Sequence, residues 1–263
     1  MAFTRANGGV VHFAAEGASG APALAFVNSL GADFRIWDET AGPLARRYAI
    51  LRYDKRGHGL SELIASEASM SDYALDLAAL MDRRGVKRAT IVGLSIGGLI
   101  AQELYRLRPD LVASLVLCDT GVKIGTEESW ASRIADIENG GIEAIADGLM
   151  QVWFSADFRA RRAVELAGWR AMLTRTPAAG YLQACGALRR ADLRPFAGAI
   201  KVPTLCVVGD EDGSTPVAQV REMSKLIGRA KFEIITGAGH LPCLEKPDVL
   251  RGLIEAHLKE VPA

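Results

Sequence analysis

The sequence predicts an α/β protein: a mostly parallel central sheet flanked by helices, with a helical cap inserted near the middle of the chain. Two observations carry this. Over residues 1–120 and 195–263, short apolar runs of strand character alternate with segments of helical periodicity, the pattern of a parallel sheet covered on both faces. Between Gly121 and Arg194 that alternation stops and helical spacing alone continues.

Taken in order, residues 10–15 and 23–28 read as strands. Residues 48–53 form another, which empties into the polar, turn-rich Asp54-Lys55-Arg56-Gly57-His58-Gly59. Ser71 is placed to cap a helix in which Tyr73, Leu77, Leu80 and Met81 recur at helical spacing. A strand over 89–94, a helix over 97–108 ended by Pro109, and a strand over 112–118 follow. Beyond the middle segment come a strand over 202–208, a helix over 216–227 opened by proline, a strand over 232–235 and a helix over 247–258. In the middle, Ile134, Ile137, Ile142, Ile145, Leu149, Val152 and Trp153 recur at helical intervals, as do Val164, Leu166, Trp169 and Met172. The expected organisation is a core of residues 1–120 and 195–263 and a cap of residues 121–194. Both cap junctions fall at strand ends, on the side where open α/β sheets bind ligands.

Composition narrows the function classes. The chain has 263 residues, 31 Lys+Arg against 31 Asp+Glu, and its arginine pairs are scattered. Neither nucleic acid nor an anionic membrane is therefore expected as a partner. No apolar run is long enough to span a bilayer. Residues 1–11 are polar and Gly-rich where a secretion signal would be apolar, which predicts a cytoplasmic protein. Cys118, Cys185, Cys206 and Cys243 are widely separated, and the first and third of that set lie near apolar runs or within them. Free buried thiols are expected in preference to a disulfide.

The chemistry centres on Gly93-Leu94-Ser95-Ile96-Gly97-Gly98, a G-x-S-x-G pattern with a strand before it and a helix after it. A nucleophile on so tight a turn needs glycines two residues to either side, because Cβ atoms there would strike neighbouring backbone. Ser95 needs a base. Of the four histidines, His12 reads as structural and His257 as solvated, while His58, in a turn-like loop at a strand end before the serine, is the alternative base. His240 follows Gly237-Ala238-Gly239 after a strand, 145 residues beyond the serine, in Ser…Asp…His order. The orienting acid is expected in Gly209-Asp210-Glu211-Asp212, with Asp212 favoured; Asp210 is its rival and Asp119 a further geometrical possibility. The backbone N–H groups of Leu30 and Ile96 are the expected oxyanion donors.

Together with Phe26-Val27-Asn28-Ser29-Leu30-Gly31 and Tyr53-Asp54-Lys55-Arg56-Gly57-His58-Gly59-Leu60-Ser61, these motifs resemble the α/β-hydrolase superfamily along essentially the whole chain. Asn28-Ser29-Leu30-Gly31, the run from Asp119-Thr120-Gly121 through Trp130 to Arg133-Ile134, and Val152-Trp153-Phe154 look like the 3-oxoadipate enol-lactonases of the β-ketoadipate pathway in aromatic compound catabolism. The resemblance implies a Ser95–His240–Asp212 triad, Leu30 and Ile96 as oxyanion donors, and a small anionic lactone or ester as substrate. Such a substrate carries a carboxylate, for which a cap guanidinium is a suitable partner. Arg133 is the first candidate, and Trp130 and Trp153 are candidates for an apolar wall or for cap core. No cofactor and no metal is expected, since Asp54, His58 and the acids near Asp212 are dispersed and no G-x-G-x-x-G opens a helix. A homo-oligomer is compatible with the sequence. The competing readings are a general carboxylesterase, a haloperoxidase-like perhydrolase, a carbon–carbon bond hydrolase, and a non-catalytic ligand binder on the same fold.

Overall fold

The structure, a computed structural model, describes residues 1–18, 20–64 and 67–261. The first part of the chain runs β1 (Ala2–Ala6), β2 (Gly9–Glu16), β3 (Ala23–Val27), α1 (Asp38–Ala41), β4 (Ala49–Tyr53), α2 (Met70–Arg83), β5 (Ala89–Leu94), α3 (Ile96–Leu107) and β6 (Val112–Cys118). The cap follows as α4 (Glu127–Gly140), α5 (Glu143–Trp153), α6 (Ala156–Arg161), α7 (Ala163–Thr174), α8 (Ala178–Arg190) and α9 (Arg194–Ala197). The chain then returns through β7 (Thr204–Gly209), α10 (Val217–Ile227), β8 (Lys231–Ile235), α11 (Pro242–Glu245) and α12 (Pro247–Leu258).

All eight strands join one sheet in the order β1-β2-β4-β3-β5-β6-β7-β8. The β1–β2 and β2–β4 pairs are antiparallel and the remaining pairs parallel. β5 is buried at every residue, as expected of a central strand covered on both faces. The parallel strands deliver Leu94, Cys118 and Gly209 to one edge of the sheet; the cap leaves the core there, its end returns beside its start where Leu193 N–H donates to Val122 O, and the chain then enters β7 at Thr204, at the opposite edge.

β1 was absent from the sequence expectation. Its Phe3, Thr4 and Arg5 alternate weakly and are largely exposed at the sheet edge. The signal for it lies in the next two residues: Asn7 and Gly8 both have positive φ, 44° and 85°, the two-residue turn that Asn-Gly favours in a hairpin. Two further expectations are corrected. Ser69, not Ser71, caps α2, sharing a reciprocal capping box with Asp72; the Ser71 hydroxyl instead donates to Glu103 at 2.5 Å. His257 is buried, not solvated, because the inner face of α12 turns it towards the core with Leu250 and Ile254; burial lowers its pKa. All four cysteines are buried free thiols, and among the described residues no helix is long and apolar enough to cross a membrane.

The polar loop after β4 is largely buried, which fixes the sheet edge beneath the cap. His12 Nδ1 meets Asp54 at 2.8 Å, and Asp54 also accepts the N–H groups of Phe34 and Leu60. Arg56 grips Asp76 of α2 through two bonds of 2.6 Å, and Asn7 adds a third contact to that carboxylate. Burial alone would drive the Asp76 pKa up, and it stays raised despite the guanidinium. Removing one partner strands a buried charge, so Asp76→Ala is expected to cost about 3 kcal/mol or more in urea denaturation. Lys55 in the same loop is 1% exposed, and burial brings its pKa down to about 7 from 10.5. Between those values the unfolded chain holds a proton that the folded chain lacks, so stability rises with pH. Urea melts across that window should show the wild type gaining stability relative to Lys55→Met as pH increases.

Candidate active site

Ser95 sits between β5 and α3 with φ 58° and ψ −120°, a conformation that a non-glycine residue holds only when its surroundings over-determine it. Crowding does this. A Cβ on Gly93 would lie 2.3 Å from the carbonyl oxygen of Gly97, and one on Gly97 would lie 2.2 Å from that of Val27 in β3. The backbone is also tied on both sides: Ser95 N–H donates to Cys118 O at 3.0 Å, and the Thr120 hydroxyl donates to Ser95 O at 2.6 Å. The N–H of Ile96, first residue of α3, has no protein partner among the described residues and stands where the helix dipole favours an anion.

His240 lies in the loop after β8 and is 2% exposed. Its Nδ1 meets both carboxylate oxygens of Asp212, at 3.0 and 2.9 Å. Asp212 also accepts the N–H groups of Ser214 and Thr215, at 2.7 and 3.0 Å, and the Thr215 hydroxyl at 2.5 Å. Burial pushes its pKa up, but the His240 charge and these hydrogen bonds outweigh that, and the carboxyl lies below its ordinary range. Asp210, the rival acid, is exposed and accepts Gly237 N–H at 2.7 Å; it closes the turn between two strand ends and has no contact with His240. His58 is buried elsewhere, its Nδ1 against Arg56 O.

Asp119 is a neighbour of the pair. It is fully buried at the end of β6 with φ 46°, and one oxygen accepts Gly209 N–H at 2.9 Å. Ligand-type atoms of Asp119, Asp212 and His240 all lie within 4.8 Å of one another. Burial first, and the Asp212 charge next, push the Asp119 pKa well up, opposite to the direction in which Asp212 moves. Because Asp212 and His240 Nδ1 already satisfy each other, the trio is arranged for acid–base work.

A cavity of about 380 Å³ opens over the sheet edge, lined by Ser95 and His240 below and by Trp130, Arg133, Trp153 and Tyr181 of the cap above. Ser29 and Leu30 form one wall, and Leu30 N–H has no partner among the described residues. Ser95 Oγ makes no hydrogen bond to His240 here; contacts of this kind tighten when a substrate is held. Trp130 and Trp153 are both buried and both line the cavity, so wall and cap core are the same residues. Arg133 stands 5.2 Å from the Trp130 ring centroid. It pairs with no carboxylate among the described residues. Its charge reaches the Tyr181 phenol, opposing the rise that burial causes in that group's pKa.

Three contributors escaped sequence reasoning. Thr215 holds the acid, as described. Glu245 accepts Gly239 N–H at 2.7 Å and the Ser155 hydroxyl at 2.5 Å, joining the histidine loop to the cap. Lys55 donates to Ser29 O at 2.6 Å behind the Leu30 wall. None lies in a pattern that short-range spacing marks, since each acts on residues at least 24 positions away or across a turn whose shape is tertiary.

Comparison with known proteins places this geometry. A family model described as the Alpha/beta hydrolase family matches residues 20–253. The 3-oxoadipate enol-lactonase 1 of Acinetobacter baylyi is 30% identical over 258 residues, covering 98% of this chain and 96% of its own length. The crystal structure of the enol-lactonase from Burkholderia xenovorans LB400 superimposes with a TM-score of 0.95 at 34% identity, over 98% of this chain and 100% of that one. A thermophilic esterase from Thermogutta terrifontis, solved with malate bound, gives a TM-score of 0.90 at 26% identity, over 97% and 95% of the two chains.

The two acids after β7 separate cleanly by substitution. Asp212→Asn is expected to lower turnover of an ester substrate by about 10³-fold or more, while Asp210→Asn leaves turnover near wild type; steady-state kinetics on folded variants checks both.

Proposed function

The chain belongs to the alpha/beta hydrolase family, and we propose that it opens the ring of an anionic lactone of the 3-oxoadipate enol-lactone type through a Ser95 acyl-enzyme. The observation that carries the substrate class is Arg133. A guanidinium without a carboxylate partner among the described residues lines the same cavity as Ser95 and His240, where it suits a substrate carboxylate. The similarity to two enol-lactonases over nearly the full chain supports the same reading.

In this scheme His240 Nε2 accepts the Ser95 proton as Oγ attacks the lactone carbonyl carbon. Asp212, bonded to Nδ1, holds the tautomer and stabilises the imidazolium. The carbonyl oxygen becomes an oxyanion between the N–H groups of Leu30 and Ile96, each contributing about 3 kcal/mol in comparable oxyanion holes. Collapse breaks the bond to the ring oxygen, which leaves as an enol, takes a proton derived from His240 and tautomerises to the ketone. Water, deprotonated by His240, then attacks the acyl carbon, and Ser95 departs with that proton. The substrate carboxylate stays on Arg133 throughout, so its binding energy serves orientation in both half-reactions.

Ser95→Ala in a folded protein is expected to abolish turnover, and retained activity would overturn the mechanism. Arg133→Met is expected to raise KM for the anionic enol-lactone by about 10- to 100-fold, the loss of one or two charge-assisted hydrogen bonds, while leaving a neutral short-chain ester unaffected. Turnover of the enol-lactone beside neutral lactones and esters decides the substrate class. A clear preference for neutral esters would make the protein a general carboxylesterase with the same catalytic groups.

A further inference from the structure

The loop after β4 carries a buried amine that the scheme above does not use. A lysine ammonium is seldom taken fully out of water, yet Lys55 is 1% exposed and lies outside the cavity. Its Nζ donates to Ser29 O at 2.6 Å and to Ala32 O at 3.3 Å. No carboxylate pairs directly with it among the described residues. Asp54, its chain neighbour, is occupied by His12, Phe34 and Leu60, and Asp33 is held by Arg35. These two acids lend Lys55 only a longer-range field, with buried His58 the other titratable group near it.

What the Lys55 amine grips is one end of a single peptide unit. The carbonyl of Ser29 and the N–H of Leu30 belong to the same planar trans peptide and point in opposite directions. The carbonyl is drawn inward to Lys55; the N–H therefore faces the wall that Ser29 and Leu30 present to the cavity beside Ser95. The rest of the turn is braced from other sides. Asn28 Nδ2 donates to Ala32 O at 2.8 Å, and the Thr176 hydroxyl of the cap donates to Gly31 O at 3.3 Å.

We propose that Lys55 is a positioning residue for the oxyanion site: by holding the Ser29 carbonyl from inside the fold, it fixes Leu30 N–H towards the reacting carbonyl and polarises that peptide as a donor. This rests on the reading of Leu30 as an oxyanion donor. A hydrogen bond donated to a peptide carbonyl strengthens the N–H on the far side of the same unit, and a donor already aimed need not reorganise as the oxyanion forms. Lys55 touches no substrate, and the burial that lowers its pKa is the cost of placing the amine behind the loop.

The test compares kcat and KM of wild type, Lys55→Met and Lys55→Gln on a neutral aryl ester, with thermal melts to establish folding. It adds inhibition by an alkylboronic acid, whose tetrahedral adduct on Ser95 occupies the oxyanion site. Lys55→Met is expected to lose about 10- to 100-fold in kcat, up to the effect of removing an oxyanion donor outright, with KM little changed and boronate affinity falling in parallel. Lys55→Gln retains an N–H donor on a shorter arm, should fall between, and carries the measurement if the apolar variant does not fold. Wild-type kcat and boronate affinity in a folded Lys55 variant would overturn the proposal, provided Ser95→Ala is inactive. Turnover surviving Ser95→Ala would instead overturn the underlying mechanism, whatever Lys55 does.

Discussion

The backbone of Ser95 is the constraint from which the rest of the site follows. Its φ of 58° sets the side chain at the crest of the turn between β5 and α3, and it persists only because β3 and the start of α3 approach so closely that no Cβ fits at Gly93 or Gly97. A second non-glycine residue with positive φ, Asp119, lies one strand over at the end of β6. Such conformations cost about 1–3 kcal/mol each. Here that strain is opposed by parallel strands whose central members are buried on both faces and cannot shift to relieve it. The N–H of Ser95 bonds to Cys118 O and that of Asp119 to Val207 O, so three adjacent strand ends are locked in register and present their loops to one cavity.

Electrostatics then divides labour among the groups gathered there. Two carboxyls and an imidazole within 4.8 Å cannot all be charged without cost. Asp212 receives two backbone N–H groups, a hydroxyl and the imidazole, whereas Asp119 receives one backbone N–H. The unequal supply of donors draws the Asp212 pKa below its ordinary range, while burial and the Asp212 charge push that of Asp119 up. His240 Nδ1 bonds to the better-supplied acid of the two.

Much of this was legible in the sequence, and the reasons are physical. The glycines two residues either side of Ser95 mark the tight turn in a short motif, even though the backbone that excludes a Cβ at Gly97 is that of Val27 in β3, and the long apolar runs of β5 and β6 mark strands buried on both faces. The chain order of Ser95, Asp212 and His240 follows from which strand ends lie together. Asp210 and Asp212 both leave β7, and only the turn that sends Asp210 to Gly237 N–H distinguishes them. Polar residues whose role comes from distant packing gave no signal. Lys55 and Arg56 read only as part of a polar, turn-rich loop although both are buried, His257 read as solvated although α12 turns it inward, and β1 was missed because an edge strand needs no strong apolar alternation. The Asn7-Gly8 pair was the one local clue to that hairpin.

The cap is bonded to the catalytic loops, and this bears on how specificity and rate are coupled. Trp153 O accepts the N–H of His240 at 2.8 Å, Val152 O accepts that of Gly213, and Glu245 spans Gly239 and Ser155. The C-terminal end of α5 therefore shapes the cavity wall with its side chains and supports the histidine and acid loops with its carbonyls. Arg133 sits on α4, its guanidinium over the Trp130 ring and without such bonds to the core loops among the described residues. Substrate choice can then vary through α4 while His240 stays in place, whereas change at the end of α5 acts on binding and on catalysis together. The end of α5 thus ties one wall of the cavity to the loops that hold His240 and Asp212, while α4, packed on α5 and α8, brings Arg133 to the opposite part of the lining through side-chain packing alone.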